Sequence, residues 1–199
     1  MKHSISHLWS RLVRRARVRA ARSDLPQHTT EIVLGVLIGV VGAGGAVGFR
    51  WLLGAVTALF FGDLAEMLRA IAPYHLLVLP VLGALIVGPL VAWLGPTVAG
   101  SGVPELQEAA ALRGGRLGPL RWLHKALASA ITIGSGGSAG REGPIAFIGA
   151  SLAADIGRLF PGGERRRKLI FACGAAAGIA ATFNAPLAGA FFALEIVLG

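Results

Sequence analysis

Charge is scarce in this chain, at 15% of 199 residues, where a soluble domain carries about a quarter. That deficit excludes water as the solvent for most of its surface. Tyrosine occurs once, against 29 glycines, and a membrane β-barrel needs aromatic girdles over alternating strands. The barrel is excluded too. One cysteine, Cys173, permits no internal disulfide, and its apolar neighbours make it a small packed hydrophobe. No cluster of His, Cys, Asp and Glu has metal-ligand spacing, and no Walker lysine is followed by Ser or Thr. What is abundant is apolar: 54% of residues are hydrophobic, and the mean hydropathy is +0.68.

The formal charge of +9 raises the question of nucleic acid, and the positions of the cations answer it. Seven of the nineteen Lys and Arg residues precede residue 23. Four more lie in 113–125 (Arg113, Arg116, Arg121 and Lys125), and five lie in 158–168 (Arg158, Arg165, Arg166, Arg167 and Lys168). Cations between apolar runs are loop decoration flanking spans, rather than one basic face. No nucleic-acid partner is expected; the partner is a lipid bilayer. The positive-inside bias puts all three stretches, and the N-terminus, in the cytoplasm of a multi-pass cell-membrane protein.

Residues 1–30 read as a basic cytoplasmic segment, an amphipathic helix lying on the membrane surface. No apolar run follows its charges at once, which argues against a secretory signal; a transit peptide fits the composition less well than the surface helix. From Ile32 to Phe49 no charge occurs, then Arg50 interrupts and Trp51–Gly62 continues, predicting one long tilted helix or one span with an interfacial tail. Gly35, Gly39, Gly42 and Gly45 recur every three or four residues as a stripe for close helix packing. Asp63, Glu66 and Arg69 predict a polar loop, and a second helix is expected over 76–95. After that the apolar pieces, 126–140 and 143–154, are too short to span. The longer piece, 169–194, is interrupted by Asn184-Ala-Pro186, predicting two half-length helices that meet inside the membrane. Broken helices in series mark a channel or transporter core.

Two of the breaks share a pattern: Gly100-Ser101-Gly102-Val103-Pro104-Glu105 and Gly140-Arg141-Glu142-Gly143-Pro144. Small residues allow close backbone approach, and Pro104 and Pro144 then open helices, where a missing N–H costs nothing. The N–H groups of such a first turn lack intrahelical partners and carry partial positive charge. An anion can rest there without a full counter-charge, and can still leave. The candidate anion-binding residues are therefore Ser101, Gly102, Val103, Gly140, Arg141 and Gly143. The Ser101 hydroxyl can donate to the ion, or serve only as an N-cap. Glu142 carries a carboxylate that can take an anion's place and vacate it when protonated; its alternative is an ion pair with Arg141.

These segments resemble the CLC family of voltage-gated chloride channels and chloride/proton antiporters. Gly100–Pro104 is similar to the family's GSGIP, Gly140–Pro144 to its GREGP, and Ala175–Gly189 to the segment that follows, over roughly 31–199. The resemblance implies the CLC fold and the amino-terminal half of its transmembrane domain, the first inverted repeat only. It implies that Ser101 coordinates chloride, and that Glu142 is the gating glutamate and outer proton acceptor. It also implies that the full-length form is a homodimer, with chloride as the transported ligand, protons as a second one in an antiporter, and no cofactor. The family's internal proton glutamate aligns with Ile196, just after Glu195, which favours a channel or a weakly coupled exchanger. The second repeat, which in the family supplies another pore helix start and a tyrosine that contacts the anion, is not among these 199 residues, so this stretch alone is not expected to make a complete pore.

An enzyme is not expected. Gly134–Ala139 matches a dinucleotide-loop spacing, but no alternating strand–helix units surround it. The remaining alternative is a membrane scaffold or subunit without transport of its own, which would need neither Glu142 nor Ser101. The expectation is an all-α polytopic membrane protein with tilted and half-length (broken) helices that moves chloride.

Overall fold

The computed structural model describes residues 27–69, 74–95, 98–160 and 162–198, and among these every regular element is helical. The amphipathic segment expected within residues 1–26 lies outside the described residues. The order is α1 (Gln27–Ala58), a π-helical stretch (Leu59–Leu64), α2 (Ala65–Arg69), α3 (His75–Leu94), α4 (Val103–Arg113), α5 (Arg121–Gly134), α6 (Glu142–Gly157), α7 (Glu164–Phe183), α8 (Pro186–Phe192) and a π-helical end (Ala193–Leu198).

α6 is the centre of the bundle. Every residue from Gly143 to Ser151 is buried, so this helix is apolar on all sides and wrapped by protein. Phe147 and Ala150 pack with Leu106 and Ala109 of α4, Phe171 and Ala175 of α7, and Val197. Ile145 and Ile148 pack with Ala46 and Phe49 of α1 and Ala126 and Ala130 of α5. The α6–α7 crossing is close because neither side has a Cβ. A methyl on Gly149 would meet the Gly174 backbone, and one on Gly178 would come 2.8 Å from the Ile145 carbonyl oxygen. Close approach of the backbones there adds dispersion to the packing of Phe147 and Ala150 against Phe171 and Ala175.

The α1 stripe is only half used. A Cβ on Gly42 would meet Ala177 at 2.8 Å and one on Gly45 would meet Leu152, but Gly35 and Gly39 have nothing within 4 Å. The helix also runs on where a polar loop was expected. Asp63 lies in the π-helical stretch, and Glu66 and Arg69 lie in α2. No proline interrupts 59–69, and a widened π turn accommodates the change of register without ending the helix. Pro80 and Pro89 lie inside α3.

Glu31–Arg69 and Leu76–Leu94 are long and apolar enough to cross a membrane, with mean hydropathies of 2.3 and 2.4. In α3 the most apolar stretch is only 11% buried within the chain, so its Leu77, Leu85 and Trp93 face outward. An apolar helix that shuns its own core needs lipid or another protein surface around it. α4, α5 and α6 have 11, 14 and 16 residues; at about 1.5 Å per residue none reaches the roughly 30 Å of a hydrocarbon core. At Asn184 the outcome differs from the expectation. α7 is a 20-residue helix of full length and only its successor, α8, is short. The break itself is real: Asn184 takes a left-handed conformation, φ 52°, and Pro186 starts the next helix.

Two of the basic stretches meet in space. Gly114 lies against the Glu164 side chain and Gly115 against Arg167, Lys168 and Phe171, at the same end of the bundle. Arg165, Arg166, Arg167 and Lys168 lie at the start of α7 rather than in a loop. Lys125 does not belong with them. It lies within α5 and is completely buried, so it drops out of the tally of flanking cations.

Candidate functional site

The starts of α4 and α6 touch. A Cβ on Gly143 would fall on the Ser101 carbonyl, 2.9 Å from its carbon and 3.5 Å from Val103 Cγ2. One on Gly102 would be 2.6 Å from the Gly143 carbonyl oxygen and 3.2 Å from Pro144 N. No side chain larger than hydrogen fits at either place. Residues 42 positions apart are thus joined backbone to backbone, and the two first turns share one locality.

At the α4 start, Gly102 is the N-cap residue with φ 100°, and Val103 and Pro104 are the first two helical residues. Gly100 and Gly102 both have positive φ, a conformation that side chains with a Cβ resist. Ser101 sits between them, exposed and one residue before the cap. Its hydroxyl is therefore not the N-cap, which was its alternative reading. The Gly102 N–H donates to Glu105 Oε2 at 2.9 Å, so this amide is already occupied; Gly102 offers space here rather than a donor. Leu106 closes the first turn by donating to the Gly102 carbonyl at 3.0 Å.

At the α6 start, Arg141 is the N-cap and Glu142 the first helical residue, with Gly143 and Pro144 following. Ile145 donates to the Arg141 carbonyl at 3.1 Å. Arg141 and Glu142 are exposed, whereas Gly143 and everything down to Ser151 is buried. Glu142 thus marks the point where the buried helix opens. Its carboxylate folds back over Gly140, and among the described residues no ion pair joins it to Arg141. Adjacent helical side chains diverge, which explains why that pair does not form.

The spacing of the motifs did not point to Lys125. Its ammonium donates to the carbonyls of Ala99 and Gly100 at 2.9 and 2.8 Å, and to that of Val98 at 3.3 Å. Glu105 Oε1 lies 3.6 Å away, too far for a hydrogen bond but close enough to balance the charge. The ammonium also stands 5.6 Å from the centre of the Phe147 ring of α6. A cation taken wholly out of water costs several kcal/mol unless its protons and charge are met, and here three carbonyls and a carboxylate meet them. The signal in the sequence was a lysine followed by an apolar run, four residues after a helix start.

The family model for voltage-gated chloride channels matches residues 83–199. The chain belongs to this family. It is 34% identical over 175 residues to a ClcB-like protein of Ralstonia nicotianae, covering 82% of this chain and 40% of that one. It is 32% identical over 174 residues to the voltage-gated ClC-type chloride channel ClcB of Escherichia coli, covering 85% and 41%. Among solved structures it is similar to a slow cyanobacterial chloride/proton antiporter, with a TM-score of 0.63 at 30% identity, over 87% of this chain and 41% of that one. The chain therefore spans about two fifths of the length of these relatives. Both breaks described above fall inside the part that the family model matches.

The Asn184 break stands apart from the two facing starts in character. Pro186 opens α8, and Gly189 packs against the Ala176 carbonyl of α7. Glu195 is exposed and Ile196 half-buried in the π-helical end, while Ala193 and Val197 pack into the core beside Leu106 and Ala110. Among the described residues no group of His, Cys, Asp and Glu could hold a metal ion.

Proposed function

We propose that the protein carrying this chain moves chloride across a cell membrane, with an anion path passing the facing starts of α4 and α6. One observation carries the reading: Ser101 and Gly102 lie backbone to backbone against Gly143 and Pro144. First-turn N–H groups from two helices then bear on one place, each start contributing about 0.5–2 kcal/mol toward an anion there. Ser101 is the hydroxyl donor of the site. Glu142, exposed at the mouth of a buried helix, is the gate: its carboxylate competes with the anion and withdraws on protonation.

Chloride rather than another anion is supported by what the relatives are named for, a chloride channel and a chloride/proton antiporter. The adjacency of the two basic stretches at one end of the bundle supports a common cytoplasmic side, with the N-terminus on it. A homodimer of the full-length protein is the assembly that the family resemblance implies, and chloride needs no cofactor. Ile196 in place of a proton-carrying glutamate favours a channel or a loosely coupled exchanger over a tight one.

The test is chloride efflux from vesicles holding the full-length protein, with external pH recorded at the same time. Chloride efflux with little accompanying proton movement is expected. Absence of efflux from well-folded protein would instead favour the scaffold, and a fixed proton-to-chloride ratio would show that Ile196 does not prevent coupling.

A further inference from the structure

We propose that Lys125 is a positioning residue for the anion site, holding the loop that presents Ser101; this rests on the transport reading above. Three consecutive peptide carbonyls, those of Val98, Ala99 and Gly100, all turn toward one ammonium group. In a trans peptide the C=O and the following N–H point in opposite directions. Drawing those carbonyls to Lys125 therefore turns the N–H groups of Ala99, Gly100 and Ser101 the other way. Carbonyl oxygens repel anions, so a loop of free carbonyls beside a chloride path would work against its occupant.

The same lysine reaches the helix start by a second route. Glu105, which faces it, accepts the Gly102 N–H, and this fixes the residue immediately after Ser101. Phe147, whose ring centre stands 5.6 Å away, belongs to α6, so one buried ammonium group lies beside side chains of both helices that form the site. Three protons meet three carbonyls, leaving no donor for solvent or ion. Lys125 is thus not itself a ligand: it acts through Ser101.

The experiment compares wild type with Lys125→Met, which keeps the length and removes the charge, in the full-length protein in vesicles. Half-saturation for chloride, maximal flux and the nitrate-to-chloride permeability ratio are measured. Losing a set of charge-assisted hydrogen bonds that orient a ligand is expected to raise half-saturation roughly tenfold, with the nitrate-to-chloride ratio rising too. A purely structural lysine would lower the yield of folded protein or the maximal flux and leave the ratio alone; that result overturns the assignment. Should Lys125→Met fail to fold, Glu105→Leu removes the oxygen that accepts the Gly102 N–H and must raise the ratio in the same direction. An unchanged ratio in folded Glu105→Leu protein then overturns it. Wild-type protein that carries no chloride sinks the transport reading itself, and with it this assignment. Wild-type flux beside an unaffected Lys125→Met variant removes only the role of Lys125.

Discussion

The two helix starts that meet at Ser101 and Gly143 are built in opposite ways. The start of α4 is tied: Glu105 holds the Gly102 amide, and Lys125 gathers the three carbonyls before Ser101. The start of α6 is open, its Glu142 exposed and in no ion pair among the described residues. A ligand that must discriminate between ions benefits from fixed geometry. A carboxylate that must come and go needs freedom. The asymmetry matches the roles proposed for the two residues.

The contact that joins the starts should be the hardest thing to alter. Gly143→Ala drives a methyl into the Ser101 carbonyl, and overpacking of this kind costs about 1–3 kcal/mol. Thermal unfolding of the purified full-length protein should show that loss, and chloride flux should collapse with it. Gly35→Ala, at a position with nothing within 4 Å, should instead be neutral or stabilising by about 0.5–1 kcal/mol. Equal effects of the two would mean that the starts do not depend on touching.

Next comes the open side. With Glu142 intact, acid should increase flux, because protonation removes the charge that competes with chloride. In Glu142→Gln the slope against pH should vanish, with flux held near the acid level of wild type. A retained pH slope in vesicle assays would move the gate elsewhere. The tied side should give a smaller change, of selectivity rather than of rate: Ser101→Pro removes the hydroxyl and should raise nitrate permeability relative to chloride. Reversal potentials or paired flux assays would measure it, and an unaltered ratio would count against Ser101 as a ligand. Smallest of all is the far end of α4, where Arg113 and Glu108 form an exposed ion pair at 2.6 Å. Glu108→Gln should change stability by less than about 1 kcal/mol and flux not at all.

Much of this was legible before any coordinates. The pairing of glycines with a proline at 100–104 and 140–144 marks helix starts by local backbone chemistry alone, and α4 and α6 begin there. The helix expected over 76–95 is α3, displaced by one residue at each end. Legibility failed where distant residues decide. Asp63, Glu66 and Arg69 look like a loop because charge usually marks one, yet nothing in 59–69 breaks a helix. Gly42 is used and Gly39 is not because only the former faces Ala177 and Gly174, a fact of the α1–α7 crossing. Lys125 resembled any cation beside a span. Its partners lie 25 to 27 residues earlier in the chain, and no periodicity brings that distance into view.

The missing Cβ atoms at Gly102 and Gly143 also limit how this region can move. With backbone resting on backbone, sliding one helix start would push directly on the other, and there is no side chain between them to absorb the displacement. With Glu142 in the proposed role, admission of an ion would be left to torsions about the bonds of an exposed side chain, which are fast and local. The resulting valve would be a small hinged arm set in a stiff frame, and its speed would owe little to the bulk of the protein around it.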